Sequence, residues 1–211
     1  DQAPKLCLGM TRVLFGGSFD PLHLGHLAIA DAVQKQWQPE QFLWLPASQS
    51  PHKLDDIPAP NALRQTMLEQ VVNLREGEEV CLLELQRPGP SFTIDTLRSL
   101  DWQRSVQKSF LVIGGDSLAG LAEWKDVAEI CNRIEWLIAP RPGWPPGSEE
   151  VFLAAVQGET RTHFHCHWLS MEKVPLASQE IRQQIGQGKS CAEDLPDPVF
   201  EIIQNHRLYQ S

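Results

Sequence analysis

Two histidines three residues apart, His23 and His26, follow a pair of glycines in the stretch Gly16-Gly17-Ser18-Phe19-Asp20-Pro21-Leu22-His23-Leu24-Gly25-His26. Glycines placed directly after a strand let backbone N–H groups come close to a phosphate chain. Spacing by three at the start of a helix puts both imidazoles on one face of its first turn. That helix end also carries partial positive charge and unpaired N–H groups, which suits an anionic, phosphorylated ligand. Gly25 removes a side chain from the crowded spot where a nucleotide would lie. A Gly-Gly pair alone commonly makes a turn and nothing more. The whole constellation is what points to phosphate chemistry.

The surrounding elements explain how such a turn would be held. Val13-Leu14-Phe15 is the centre of a buried strand, and Leu27, Ile29, Ala30 and Val33 suit a helix over 25–36. Phe42-Leu43-Trp44-Leu45 reads as a second strand ended by Pro46, and residues 48–60 as a long, proline-punctuated loop of the kind that tends to be functional. Leu63, Met67, Val71 and Leu74 mark one face of a helix. A third strand is expected over 80–85 and a helix from about Thr93. Phe110-Leu111-Val112-Ile113 is a fourth strand, closed by Gly114-Gly115 and Asp116, and 134–139 a fifth, ended by Pro140-Arg141-Pro142-Gly143. A helix over 149–156, a sixth strand over 162–168, a helix that Ser178 can cap, and a last one over 199–206 complete the pattern. Strands alternating with helices give an α/β class: a Rossmann-like, doubly wound parallel sheet with a small C-terminal helical portion. Such sheets bind ligands beyond the carboxyl ends of their strands, where the candidate segments gather.

The 211 residues hold 18 Lys and Arg against 27 Asp and Glu, a formal charge of -9. A binder of extended nucleic acid usually carries the opposite sign, whereas a small phosphorylated ligand needs only a local positive pocket. No apolar run is long enough to span a membrane and no secretory signal is visible, so a cytoplasmic protein is expected. Cys7, Cys81, Cys131, Cys166 and Cys191 are odd in number and widely spaced, which reads as reduced thiols. Residues 1–9 read as a disordered leader or a start-site artefact and 10–211 as one domain. Whether copies of the chain associate into a homo-oligomer is left open.

The glycine–histidine stretch, with its His-x-Gly-His, resembles the signature of the nucleotidylyltransferase superfamily, shared with class I aminoacyl-tRNA synthetases. From Met10 onward the chain resembles bacterial nicotinate-nucleotide adenylyltransferases. Matching segments are Ser50-Pro51-His52-Lys53, Arg87-Pro88-Gly89-Pro90-Ser91-Phe92-Thr93, Ile113-Gly114-Gly115-Asp116, Trp124, Arg141-Pro142-Gly143, Ile181-Arg182 and Leu208-Tyr209. The resemblance implies transfer of AMP from ATP to nicotinate mononucleotide, giving deamido-NAD and pyrophosphate in NAD biosynthesis. It implies His23, His26 and Arg182 as catalytic residues on the phosphates. Gly16, Gly17, Gly25, Ser178, Ile181 and Lys53 would contact ATP. Ser91, Thr93, Asp116, Trp124, Lys125 and Arg141 would contact the mononucleotide, with Trp124 packed on the pyridine ring. Mg²⁺ would be carried mainly by the ATP phosphates, with no dedicated metal ligands from the protein.

Some positions depart from the family pattern. Leu176-Ala177-Ser178-Gln179 stands where Ile-Ser-Ser/Ala-Thr is usual, Lys125 where an aromatic residue often follows the tryptophan, and Ala47 where an asparagine commonly follows the proline. His163, His165 and His167 with Cys166 suggest a metal site, but alternation with Phe164 and Trp168 reads better as a strand with one wet face. Asp116 reads as a ribose acceptor or helix cap rather than a general base. Rival functions are an enzyme preferring the amide mononucleotide, a phosphopantetheine adenylyltransferase, and a nucleotide-binding regulator without turnover. The second is disfavoured by Trp124 and the 87–93 segment. Pyrophosphate release from ATP with each mononucleotide separates them.

Overall fold

Parallel strands buried on both faces need near-continuous apolar sequence, and the runs read above supply it. The computed structural model describes residues 10–49, 51, 58–100, 106–173 and 175–210. Its strands are β1 (Met10–Gly17), β2 (Gln41–Pro46), β3 (Glu78–Val80), β4 (Val106–Gly114), β5 (Glu135–Ala139) and β6 (Cys166–Trp168). They form one parallel sheet in the order β3-β2-β1-β4-β5-β6, so the chain reverses its direction of travel between β1 and β4. The helices are α1 (Leu24–Trp37), α2 (Asn61–Val72), α3 (Thr93–Leu100), α4 (Val127–Arg133), α5 (Glu150–Ala155), α6 (Glu159–Thr162), α7 (Ser178–Gly186) and α8 (Asp197–His206).

Alternate side chains along each strand feed two cores. On one face Val13, Phe15, Phe42, Trp44, Phe110 and Val112 meet Ile29 and Val33 of α1, Met67 and Leu68 of α2, Ile181 of α7 and Val199 of α8. On the other, Leu14, Leu43, Leu111, Ile113 and Ile138 meet Ile94 and Leu97 of α3, Ile130 of α4 and Phe152 of α5. Among the described residues no helix is long and apolar enough to cross a membrane. Cys81, Cys131, Cys166 and Cys191 are free thiols, and Cys7 lies outside the described residues.

Several expected elements shift. The third strand is Glu78–Val80, not 80–85, because its register places Glu78 beside Phe42 and within reach of Trp44. The Trp44 indole N–H donates to Glu78 Oε2 at 2.7 Å and Arg75 Nε donates to the same oxygen at 2.8 Å. A buried indole N–H is costly to leave without an acceptor, and this pair fixes the edge register. Leu74 lies past the end of α2 and is 82% exposed, while Arg64, Met67, Leu68 and Val71 form the buried face of that helix. Residues 159–162 are helical, so only Cys166–Trp168 of the expected sixth strand pairs, with Trp136 to Ile138 of β5. His167 Nε2 there meets Glu135 Oε2 at 2.7 Å, and Phe164 is buried between the exposed His163 and His165.

Arg64 is fully buried yet has no unspent donor. Its Nε donates to the Ala59 carbonyl at 3.1 Å, and its terminal nitrogens donate to the carbonyls of Ser18 (2.7 Å), Ala47 (2.6 Å) and Ser48 (3.0 Å) and to Asn61 Oδ1 (2.5 Å). Those oxygens belong to the turn after β1, the turn after β2 and the start of α2. Replacing Arg64 by Met leaves the carbonyls buried without donors, so we expect a stability loss on the order of 3–5 kcal/mol in urea unfolding. A loss below about 1 kcal/mol contradicts this role.

Candidate active site

β1 ends in Gly16 and Gly17 at the carboxyl rim of the sheet, beside the reversal point where such folds bind ligands. Gly16 is exposed and a side chain there would meet nothing within 4 Å, so its backbone is open to a ligand. Gly17 answers to a different need: a Cβ would lie 3.1 Å from the ring of Phe19, which tucks beneath the turn with a left-handed φ of 44°. Asp20 and Pro21, joined by a cis peptide bond, then lead into α1.

His23 occupies the N-cap position of α1 and His26 its third residue. The two rings stack at 3.7 Å between centroids, and Phe19 meets His26 edge-on at 5.0 Å. The His23 backbone N–H donates to His26 Nδ1 at 3.3 Å. A neutral His26 therefore carries its proton on Nε2, as a donor. His23 is buried, and among the described residues its Nδ1 has no hydrogen-bond partner. Gly25 clears room for this arrangement: a Cβ would stand 2.9 Å from His23 Nδ1 and 3.2 Å from the Leu176 Cβ. The crowding that demands glycine thus comes from the neighbouring imidazole and from the segment before α7.

Burial, reinforced by the Arg141 guanidinium, pushes His23 down to about 3. His26 is also held well below the ordinary histidine value, by burial first and then by His23 and Arg141. Both rings are accordingly neutral near pH 7 before any phosphate arrives.

α7 and the loop after β5 close over this turn. Arg182 donates to the Asp20 carbonyl at 2.8 Å and lies 3.6 Å from Asp20 Oδ2. Ser178, the first helical residue rather than the cap, spends its hydroxyl on the Pro21 carbonyl at 3.0 Å. Arg141 donates to the Leu176 carbonyl at 3.0 Å and sits 3.7 Å from Asp116, whose side chain is 61% exposed. Ile181 is buried in the core beneath. The expected Lys53 lies outside the described residues.

A second group assembles around the N-terminus of α3. Lys125 Nζ contacts both Asp95 oxygens at 3.0 and 3.1 Å and lies 4.8 Å from the Phe92 ring centre. Trp124 is half-buried, edge-on to Trp136 at 6.0 Å. Thr93 is the first residue of α3, so its N–H has no acceptor within the helix. Ser91 is buried and its hydroxyl accepts from the Ser48 N–H at 3.0 Å, which ties this segment to the turn after β2. The structure therefore gathers His23, His26, Arg182 and Arg141 on one side and Thr93, Trp124 and Lys125 on the other, with Asp116 on the Arg141 side. Sequence reasoning did not single out Arg64, Asp20, Leu176 or Tyr209. For Asp20 and Tyr209 the signal was present, since both lie in segments that matched the family.

A family model described as Cytidylyltransferase-like matches residues 14–184. A protein named "Probable nicotinate-nucleotide adenylyltransferase" from Synechococcus sp. (strain JA-3-3Ab) is 34% identical over 196 residues, covering 93% of each chain. A protein of the same name from Gloeobacter violaceus is 32% identical over 205 residues, covering 96% of this chain and 97% of its own. This chain belongs to the nicotinate-nucleotide adenylyltransferase family. Among solved structures, that described as Plasmodium falciparum nicotinic acid mononucleotide adenylyltransferase complexed with NaAD superposes with a TM-score of 0.74. At 14% identity, covering 94% of this chain and 97% of that one, it supports the fold.

The buried, neutral His23 makes the stability of this fold acid-sensitive in a defined window. The unfolded chain protonates this imidazole below about pH 6.5, whereas the folded protein resists until about pH 3. Its contribution is therefore complete above pH 6.5 and falls as pH drops toward 3. At pH 5 the expected loss is about 2 kcal/mol relative to pH 7. Urea unfolding of the wild type and His23→Asn across that range checks it, with the variant expected to lose part of the slope. Equal slopes contradict it.

Proposed function

We propose that this chain transfers AMP from ATP to nicotinate mononucleotide, yielding deamido-NAD and pyrophosphate, as a step of NAD biosynthesis. The observation that carries the reading is the stacked His23–His26 pair at the N-terminus of α1, following the open Gly16 backbone in sequence, in a chain of this family. The names of the relatives and the dinucleotide in the neighbouring structure support the same substrates.

The nucleophile brings its own reactivity. A phosphate monoester has a second pKa of about 6 and is mostly dianionic at pH 7. No general base is needed, and neutral histidines suit a donor role. The protein's task is to align two anions and stabilise charge on the departing pyrophosphate. His26, with its proton on Nε2, and His23 donate to oxygens of the α- and β-phosphates, while Arg182, Lys53 and the Gly16 amide supply positive potential. Among the described residues no cluster of three or more His, Cys, Asp or Glu could hold a metal ion. Mg²⁺ would be carried mainly by the ATP phosphates and water, and when bound would supply charge neutralisation for the leaving group. Residues 10–211 act as one domain in this reading, in the cytoplasm, without extended nucleic acid.

The N-terminus of α3 favours a carboxylate on the pyridine ring, because Thr93 and its neighbour present N–H groups at the positive end of the helix. A carboxamide would set its own NH₂ against those donors, a penalty of about 1–3 kcal/mol. We expect nicotinate mononucleotide to be preferred over the amide by roughly ten- to hundredfold in catalytic efficiency. Pyrophosphate release at saturating Mg-ATP with each mononucleotide tests this. An amide preference overturns the acid assignment, and no release with either overturns adenylyl transfer. His26→Ala should lower kcat by on the order of a hundredfold with a milder change in KM, since such donors act mainly on developing charge. Near-wild-type turnover would remove His26 from the mechanism.

A further inference from the structure

Asp20 is buried in the turn between β1 and α1, and each of its oxygens has a different claimant. Oδ1 accepts from the Tyr209 hydroxyl at 2.6 Å and from the Ala59 N–H at 3.2 Å. Oδ2 faces Arg182 at 3.6 Å, and the Asp20 carbonyl accepts from the same Arg182 nitrogen at 2.8 Å. A buried carboxylate that lost a donor would turn toward the nearest remaining cation.

Tyr209 reaches this place from just beyond α8, across 189 positions of sequence. The chain gets there through Arg207 at φ 51° and Tyr209 at φ 62°, both left-handed without being glycine. Such residues persist only where surrounding contacts compensate, and the Asp20 bond is one such contact. Burial and the adjacent Asp20 carboxylate push the phenol above its ordinary range, so it stays an O–H donor at any working pH.

We propose that Tyr209 is a positioning residue for ATP binding: by holding Asp20 Oδ1 it keeps that carboxylate from closing on Arg182, and so leaves the guanidinium in place for the phosphates. This rests on the assignment of Arg182 to ATP. Ser178 braces the same turn through Pro21, so Tyr209 and α7 grip it together. Without the phenol O–H, Asp20 rotates, the 3.6 Å gap closes and Arg182 becomes a two-oxygen partner of Asp20. The mononucleotide side, around Thr93 and Trp124, is untouched by that movement.

The test measures calorimetric affinity for a non-hydrolysable ATP analogue, and KM for each substrate, in wild type, Tyr209→Phe, Asp20→Asn and the double variant. Tyr209→Phe should weaken analogue binding on the order of tenfold. KM for the mononucleotide should stay within about twofold, and Tyr209→Phe should add less than about twofold in the Asp20→Asn background. Unchanged analogue affinity, equal weakening of both substrates, or a full effect in the Asp20→Asn background overturns the proposal. Because the chain has a single tyrosine, an isotope label at tyrosine Cζ gives one resonance in the wild type, which needs no variant to fold. Adding the analogue should shift it, as phosphate charge on the Arg182 guanidinium offsets its attraction for Asp20 and Asp20 draws harder on the hydroxyl. No shift at saturation overturns the proposal. A wild type that binds the analogue without making pyrophosphate refutes the catalytic reading and leaves this one standing.

Discussion

Arg64 rises from α2 into a place without water, and a guanidinium there is tolerable only if its five donors all find oxygen. They do, and the oxygens come from segments far apart in sequence: Ser18, Ala47, Ser48, Ala59 and Asn61. Satisfying this one group forces the turns after β1 and β2 together. Asp20, buried in the first of these turns, supplies opposing charge, and its Oδ1 accepts from both the Tyr209 hydroxyl and the Ala59 N–H. The start of α1, and with it both histidines, takes its position from this polar knot together with the apolar core into which Phe19, Leu22 and Ile29 pack.

The consequence is a site organised for placement. His23 and His26 are packed too closely, and too far from water, to carry charge of their own at neutral pH. Permanent positive charge comes instead from Arg182 and Arg141, each already engaged by oxygens of the turn or of the Leu176 segment. Groups fixed before the ligand arrives need little reorganisation when charge develops, which is where electrostatic preorganisation gains its effect. A phosphate nucleophile that needs no deprotonation is the natural partner for such a site.

Most of the scaffold was legible because parallel strands advertise themselves: the runs at Val13-Leu14-Phe15, Phe42-Leu43-Trp44-Leu45 and Phe110-Leu111-Val112-Ile113 are all strand centres of the sheet. The glycine–histidine turn was legible because its chemistry is local. What escaped depends on contacts at long range. The third strand slid to Glu78–Val80 because a glutamate satisfies the Trp44 indole across the register, which no apolar count can reveal. Ser178 looked like a helix cap, but its hydroxyl is drawn to Pro21, 157 positions away. Gly25 was expected to leave room for a nucleotide, whereas the atoms that crowd it in the structure are those of His23 and Leu176. Arg64 is not among the apolar positions from which that helix was read, and only the convergence of two turns shows why it is inside.

The central claim is that bond cleavage occurs at the α-phosphorus of ATP, with the mononucleotide phosphate taking the adenylyl group directly. ATP radiolabelled at either the α or the γ position, incubated with nicotinate mononucleotide and Mg²⁺, tests it. The account requires α label to appear in a dinucleotide and γ label in pyrophosphate, in equal amounts. Label from the γ position in inorganic phosphate or in the mononucleotide, or no dinucleotide at all, would contradict it.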